Sequence, residues 1–270
     1  MTVRVAPTLE PVEVLANVRV APGVGLLTLR APRVAADVAP GQFVHLRLGS
    51  GGTEILRRPF SVHRAYEDRI EILYQVLGAG TRRMSLLEGG EAGLDVVGPL
   101  GHGWQSVDGA AHVLLVAGGL GAAPLGMLAE RLAAAGVAVI VAQGAPSAER
   151  LVARDLFERV ARRVDVATDD GSAGHHGFVT GPVADVLSRE RIDVIYCCGP
   201  EAMQRVVASQ AADAGVACQV SLERLMACGI GACLSCVVST TGGLKRACVD
   251  GPVFDAREVT WDATEIPPKH

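Results

Sequence analysis

Two hydrophobic periods divide the chain. From about residue 11 to 101, short runs rich in Val, Ile and Leu recur at 12–20, 24–30, 43–48, 55–63, 69–77 and 94–98. Pro22-Gly23, Pro40-Gly41, the glycines of 49–52 and Gly89-Gly90 separate them. Short strands at this spacing predict a small all-β barrel or sandwich. One helix is expected here, over 81–87, capped by Thr81 and ended near Gly89-Gly90. Residues 98–104 read as a linker.

Beyond the linker the period changes. Apolar strands are expected at 113–117, 137–142, 164–167, 194–197 and 217–222, alternating with helices at 124–135, 151–162, 183–189 and 201–214. Pro124 is placed in a first helical turn, where its missing N–H costs nothing. Alternation of this kind predicts an open parallel sheet with helices on both faces. The uncharged run 113–129 is broken by four glycines and Pro124 and is shorter than the ~20 residues a membrane span needs.

Composition narrows the function classes. The chain has 270 residues, 49% hydrophobic and 20% charged, enough for more than one core. A net charge of −4 carries no basic footprint for nucleic acid, and 4% aromatic residues leave few stacking surfaces. The first ten residues lack the apolar core of a signal peptide, so the seven cysteines are expected in a reducing cytoplasm. There such patterns bind metal more often than they form disulfides.

The cysteine pattern is the sharpest signal. Cys228, Cys233 and Cys236 are spaced C-x4-C-x2-C, and Cys248 follows after eleven residues. That is the plant-type run for a [2Fe–2S] cluster. Ala227, Gly229, Gly231 and Ala232 let the backbone wrap closely around sulfide. A structural zinc site, a disulfide pair and unliganded core cysteines are the competing readings; zinc ribbons usually pair their ligands as C-x2-C…C-x2-C.

Glycine turns supply the nucleotide candidates. Gly118, Gly119 and Gly121 lie between a strand and a helix, where N–H groups and the helix dipole favour phosphate. The match to G-x-G-x-x-G is incomplete, and no acid closes the second strand at Ala142-Gln143-Gly144. A tight turn without a ligand is the alternative. Cys198-Gly199-Pro200 falls at the same sheet edge, with Cys198 either a buried small residue or a thiol near a nicotinamide. Residues 168–171 form a third turn there, otherwise an ordinary Asx turn. In the first domain, Arg57 and Arg58 precede Pro59, Phe60 and Ser61; the arginines either meet phosphate or lie on a solvated edge strand. Gly80-Thr81 opens the helical candidate as a second phosphate seat.

A cluster moves single electrons and a nicotinamide moves a hydride. A chain holding both needs a converter, which a flavin provides.

With RRPFS (57–61), YQVLGAGT (74–81), GPLGHGW (98–104), GGLGAAPL (118–125), ATDDGS (167–172), CCGPEAM (197–203), MACGIGACLSC (226–236) and CVDGPVF (248–254) in that order, the chain resembles the electron transfer subunits of class 1B dihydroorotate dehydrogenase, in the ferredoxin–NADP reductase superfamily. The resemblance implies a six-stranded FAD-binding barrel over 1–103, an NAD-binding α/β domain over 104–222 and a [2Fe–2S] domain over 223–270. It carries FAD contacts onto Arg58, Pro59, Phe60, Ser61, Leu73, Tyr74, Gln75, Gly80 and Thr81, and cluster ligation onto Cys228, Cys233, Cys236 and Cys248. It implies a catalytic partner carrying FMN, NAD(H) as the soluble carrier, and a dimer of heterodimers in pyrimidine biosynthesis. Gln75 stands where relatives often carry a basic residue, and SLERLMACG replaces the commoner SLEERMACG. A related reductase module serving a ferredoxin, hydrogenase or oxygenase is the second enzymatic reading. A zinc-stabilised nucleotide-binding regulator is the non-redox one.

Overall fold

The computed structural model describes residues 6–49 and 56–261. The start of the expected 55–63 strand, part of the 49–52 turn and the end of the 223–270 segment lie outside them.

Seven strands form the first sheet: β1 (Thr8–Ala21), β2 (Val24–Arg30), β3 (Phe43–Arg47), β4 (Arg58–Ser61), β5 (Arg64–Tyr66), β6 (Arg69–Gln75) and β7 (Leu94–Leu100). All neighbours are antiparallel, in the order β4-β3-β7-β1-β2-β6-β5. The His63 N–H donates to the Glu71 carbonyl at 2.8 Å, linking the chain just past β4 to β6 and closing the sheet into a barrel. Alternation along the strands fills it: Val14, Leu27, Leu29, Val44, Leu46, Ile70, Ile72 and Val96 all point inward and are fully buried. Helix α1 (Pro32–Asp37) starts on a proline, and the buried Glu10 carboxylate accepts the N–H groups of Arg33 and Val34. Neither α1 nor β5 is expected from the sequence; both are too short for a period to show.

The expected cap is one turn late. Helix α2 is Ala79–Met84, so Thr81 is its third residue, and Gly78 is the N-cap. The supposed linker is partly strand, since Gly98–Leu100 finish β7. Trp104 is buried and donates from Nε1 to the Pro124 carbonyl at 2.9 Å.

The second sheet holds β8 (His112–Gly118), β9 (Ala138–Ala145), β10 (Arg163–Thr168), β11 (His175–His176), β12 (Val194–Cys198), β13 (Ala217–Ser221) and, much later, β16 (Val253–Asp255). The hairpin β14 (Val237–Thr240) and β15 (Gly243–Arg246) intervenes. The order is β11-β10-β9-β8-β12-β13-β16, parallel except for β16. Strands buried on both faces read as unbroken apolar runs. Leu114 and Val116 pack on one side against α5 (Thr180–Arg189) and α6 (Glu201–Asp213). Val113 and Leu115 pack on the other against α3 (Gly126–Ala134) and α4 (Arg154–Val160). Pro124 sits in a 3-10 turn over Gly119–Leu125, and the α-helix begins only at Gly126.

The five main parallel strands run β10-β9-β8-β12-β13, so chain order reverses between β8 and β12. Ligands of such sheets bind outside the strands' carboxyl ends at that reversal. The cysteine segment is not spatially separate from this sheet. Cys236, Cys248 and Phe254 are buried in the same core as Leu114 and Val220, and β16 extends the sheet beyond β13. Among the described residues no helix is long and apolar enough to cross a membrane.

Candidate functional site

Strand β4 and the start of α2 form the first cradle. The Arg58 guanidinium lies directly over the Cα of Gly80, so that any Cβ there would overlap its Nε and Cζ. Only glycine allows that approach. Among the described residues the Arg58 side chain makes one hydrogen bond, Nη1 to the Leu56 carbonyl at 3.1 Å. Arg57 is spent elsewhere. Its guanidinium pairs with the buried Asp95 carboxylate, which also takes Arg47. Of the two arginines expected to meet phosphate, Arg58 alone faces the cradle.

Pro59, Phe60 and Ser61 are half-buried beside it. The Thr81 hydroxyl accepts the N–H groups of Leu77 (2.9 Å) and Gly78 (3.1 Å), so it holds the turn that presents Gly80. Leu73 and Tyr74 point into the cores, and the Tyr74 hydroxyl donates to Asn17 Oδ1 at 2.9 Å. Burial raises that phenol's pKa. What Leu73 and Tyr74 can offer a cofactor is therefore their main chain. Gln75 is half-buried and faces the cavity described next.

A cavity of about 700 Å³ opens at the β8–β12 reversal. Gly118, Gly119, Gly121, Gly199, Pro200 and Gln75 line it together. The two glycine turns interlock. A Cβ on Gly121 would overlap the Cys198 carbonyl and stand 2.7 Å from the Gly199 nitrogen. One on Gly199, at φ 154°, would stand 2.8 Å from the Gly118 Cα. These glycines are thus required by each other, and their closeness leaves the cavity floor as bare backbone.

Cys198 does not share that floor. Its thiol is buried against the Ser221 carbonyl at 3.7 Å, outside the cavity lining. Burial first, then the Glu223 charge, keep it protonated. The buried-residue alternative is the one the structure favours for this side chain. The 168–171 turn is closed by the Gly171 N–H on the Thr168 carbonyl at 3.1 Å and runs into an Asx turn, Asp170 Oδ1 accepting from Ser172 N at 2.9 Å, while Asp169 lines the cavity. Phe178, exposed at the mouth, and Glu223 also line it and were assigned no role in the sequence. A large apolar side chain just before α5 was the available signal for Phe178.

The four cysteines stand as two pairs, and among the described residues no three of His, Cys, Asp or Glu are gathered closely enough to form a metal site. Cys236 and Cys248 are buried with sulfurs 3.2 Å apart. Cys228 Sγ accepts the Cys233 N–H at 3.4 Å. Gly229 (φ 70°), Gly231 (φ 84°) and Leu234 (φ 58°) curl the loop between them. Arg246, paired with Asp250 at 3.1 Å, donates to the Gly231 carbonyl at 3.3 Å and holds the loop to β15. Cys233 is exposed; Ser235 Oγ at 3.1 Å, the main chain and Cys228 lower its pKa to about 6. Burial raises that of Cys248. Two pairs of soft donors suit an iron–sulfur cluster, which four thiolates hold through two irons.

Two buried histidines sit where the barrel meets its neighbours. His63, just after β4, has Nδ1 at 3.0 Å from the Ala123 carbonyl, and its own carbonyl accepts the Met127 N–H at 3.0 Å. His45, on β3, packs against Gly229 of the cysteine loop.

Fold and cradles together define a reductase of the ferredoxin-reductase type, a barrel joined to a dinucleotide-type sheet. The solved ferredoxin NADP+ reductase from Neisseria gonorrhoeae shares that fold at TM-score 0.65 and 16% identity, over 78% of this chain and 93% of the other. The NADH-dependent reduced ferredoxin–NADP oxidoreductase studied for flavin-based electron bifurcation superposes at TM-score 0.85 with 34% identity, over 97% and 92%. The family described as the iron–sulfur cluster binding domain of dihydroorotate dehydrogenase B matches residues 223–260. The dihydroorotate dehydrogenase B (NAD(+)) electron transfer subunit of Desulforamulus reducens is 37% identical over 93% of this chain and 97% of its own length. That of Caldanaerobacter subterraneus is 40% identical over 82% and 87%. The chain belongs to the family of dihydroorotate dehydrogenase B electron transfer subunits.

Proposed function

We propose that this chain carries electrons from the FMN of a dihydroorotate-oxidising partner to NAD⁺, through a [2Fe–2S] cluster on Cys228, Cys233, Cys236 and Cys248 and an FAD in the barrel. The observation that supports this order is that the barrel meets both other segments. It touches the cysteine loop through His45 and Gly229, and the start of α3 beyond the glycine turn through His63 and Gly126. Bound there, the cluster supplies single-electron transfer, the flavin converts between one- and two-electron steps, and the nicotinamide takes a hydride.

The chain's own groups bind and orient. Arg58 and the bare Gly80 backbone receive the FAD pyrophosphate, beside Pro59, Phe60, Ser61 and Thr81, with the strand at Leu73, Tyr74 and Gln75 alongside. Gly118, Gly119, Gly121, Gly199 and Pro200 admit NAD(H) to the cavity between barrel and sheet. The matching units are 1–103 for FAD, 104–222 for NAD and 223–270 for the cluster, the last lending β16 to the sheet. Leu225, Ile230, Leu234 and Leu244 are exposed around the cysteine loop and suit an apolar docking face for the partner, in a dimer of heterodimers.

Cys233→Ala tests the relay. Iron and the visible cluster bands should be lost. NADH should still reduce a dye that takes electrons from flavin, while turnover coupling dihydroorotate to NAD⁺ should fall to background. Coupled turnover persisting without iron would refute the order. The likeness to the bifurcating oxidoreductase gives a second reading, a partner exchanging electrons with ferredoxin. Identifying the co-purified subunit, and assaying it with dihydroorotate and with reduced ferredoxin, separates the two.

A further inference from the structure

His45 is fully buried on β3, opposite Pro59 of β4 and Val97 of β7. A neutral imidazole has one N–H and one bare nitrogen, and both ordinarily find partners when buried. Among the described residues, neither ring nitrogen of His45 has a hydrogen-bond partner. The Cys228 carbonyl is close enough to favour a proton on the ring, yet it makes no well-directed hydrogen bond with it. An unpaired buried polar group is destabilising, because it loses its hydrogen bonds to water and gains none. A fold that keeps one at a seam is expected to complete it with something that binds there.

What lies across the seam is the cysteine loop. Gly229 crosses the imidazole so closely that an added Cβ would stand 2.7 Å from Nδ1. Gly229 follows directly on Cys228, and its φ of 70° turns the loop towards Cys233. The imidazole therefore stands beside the first cysteine of the run, on the strand that pairs with the Arg58–Ser61 strand.

We propose that the His45 N–H is completed by a sulfur of the cluster, at or beside the Cys228 thiolate, and that His45 is thereby a positioning residue that raises the cluster's reduction potential and fixes its loop to the flavin strand. Hydrogen bonds to cluster sulfurs stabilise the more negative, reduced state and so raise the potential. The inference rests on the four-cysteine reading above, and the test separates the two.

EPR-monitored redox titration of the whole chain, iron- and sulfide-replete, is the measurement. At the potential where half of the wild-type cluster is reduced, His45→Leu should shift the reduced-to-oxidised ratio about tenfold towards oxidised, about 59 mV for one electron. His45→Gln keeps an N–H donor and should recover part of the shift. A His45→Leu ratio within threefold of wild type, with iron and sulfide intact, would overturn the proposal. Where the variants bind no cluster, the wild type labelled with ¹⁵N-histidine decides. Its reduced cluster should show a weakly coupled histidine nitrogen in pulsed EPR, and absence of that coupling would overturn the proposal. A wild type that binds no iron at all would overturn the underlying reading, and this inference with it.

Discussion

The seam towards the nucleotide sheet and the seam towards the cysteine loop use the same device and finish it differently. In each, a buried barrel histidine packs on a glycine of the neighbouring segment: His63 on Gly126, His45 on Gly229. His63 has partners within the chain, its Nδ1 on the Ala123 carbonyl and its own carbonyl on the Met127 N–H. Among the described residues His45 has no hydrogen-bond partner on its ring, and the loop above it carries an exposed thiol. The contrast follows from the chemistry at each seam. Hydride transfer needs two ring systems held at a short fixed distance, so the nucleotide seam is built before either arrives. A cluster brings its own sulfides and charge, so its seam leaves donors for it to complete.

The largest expected effect comes from breaking the finished seam. Gly126→Val places a Cβ 2.6 Å from His63 Nδ1 with branches beyond it, and nothing in that close-packed contact can yield cheaply. Overpacking of this kind costs about 1–3 kcal/mol, and a displacement near 1 Å can cost roughly 100-fold in rate. Thermal unfolding should shift down, and stopped-flow reduction of the flavin by NADH should slow by at least about tenfold. Iron content should stay at the wild-type value. Flavin reduction at an unchanged rate would show that the seam does not set the hydride distance.

A smaller and opposite pattern is expected from Gly229→Ala. The φ of 70° alone costs of order 1 kcal/mol or more for an alanine, and its Cβ would press on His45 Nδ1 at 2.7 Å. Iron per flavin should fall, by roughly threefold at the loading concentration where the wild type is just saturated. NADH should reduce the flavin at the wild-type rate. Loss of both functions together would mean that the two seams are one cooperative unit and not separate devices.

The sequence reveals these regions unequally, for physical reasons. The α/β sheet is plain in the chain because strands buried on both faces leave unbroken apolar runs, as at 113–117 and 194–198. The cysteine run is plain because ligand spacing is a local property. Arg58 and Gly80 are far apart in the chain, and only the register of β3 on β4 shows that Arg57 turns to Asp95 while Arg58 covers Gly80. Cys198 sits at a strand end, where the sequence allows either a buried small residue or a thiol near a nicotinamide, and the fold buries its sulfur against the Ser221 carbonyl. His45 gave no signal at all. A single histidine in an alternating strand becomes informative only when both nitrogens are seen to be unpaired.

The smallest effect concerns the unfinished side alone. In chain freed of metal, Cys233 is the exposed thiol of the loop, with the Ser235 hydroxyl 3.1 Å from its sulfur. That hydroxyl leads the groups that stabilise the thiolate and lower its pKa to about 6. A lowered thiol pKa means more thiolate at a given pH, so alkylation should be half-maximal near pH 6, level off above it and fall about tenfold per unit below it. Cys197 and Cys198 are buried with raised pKa values, so they should remain unlabelled under the same conditions. Ser235→Ala removes the leading contribution and should move the midpoint upward, cutting the labelling rate at pH 6.5 by several-fold. Peptide mapping after brief iodoacetamide treatment across a pH series reads all three sites at once. Labelling of Cys198 at a rate near that of Cys233 would mean that the nucleotide side opens as readily as the loop, and the contrast between a finished and an unfinished seam would fail.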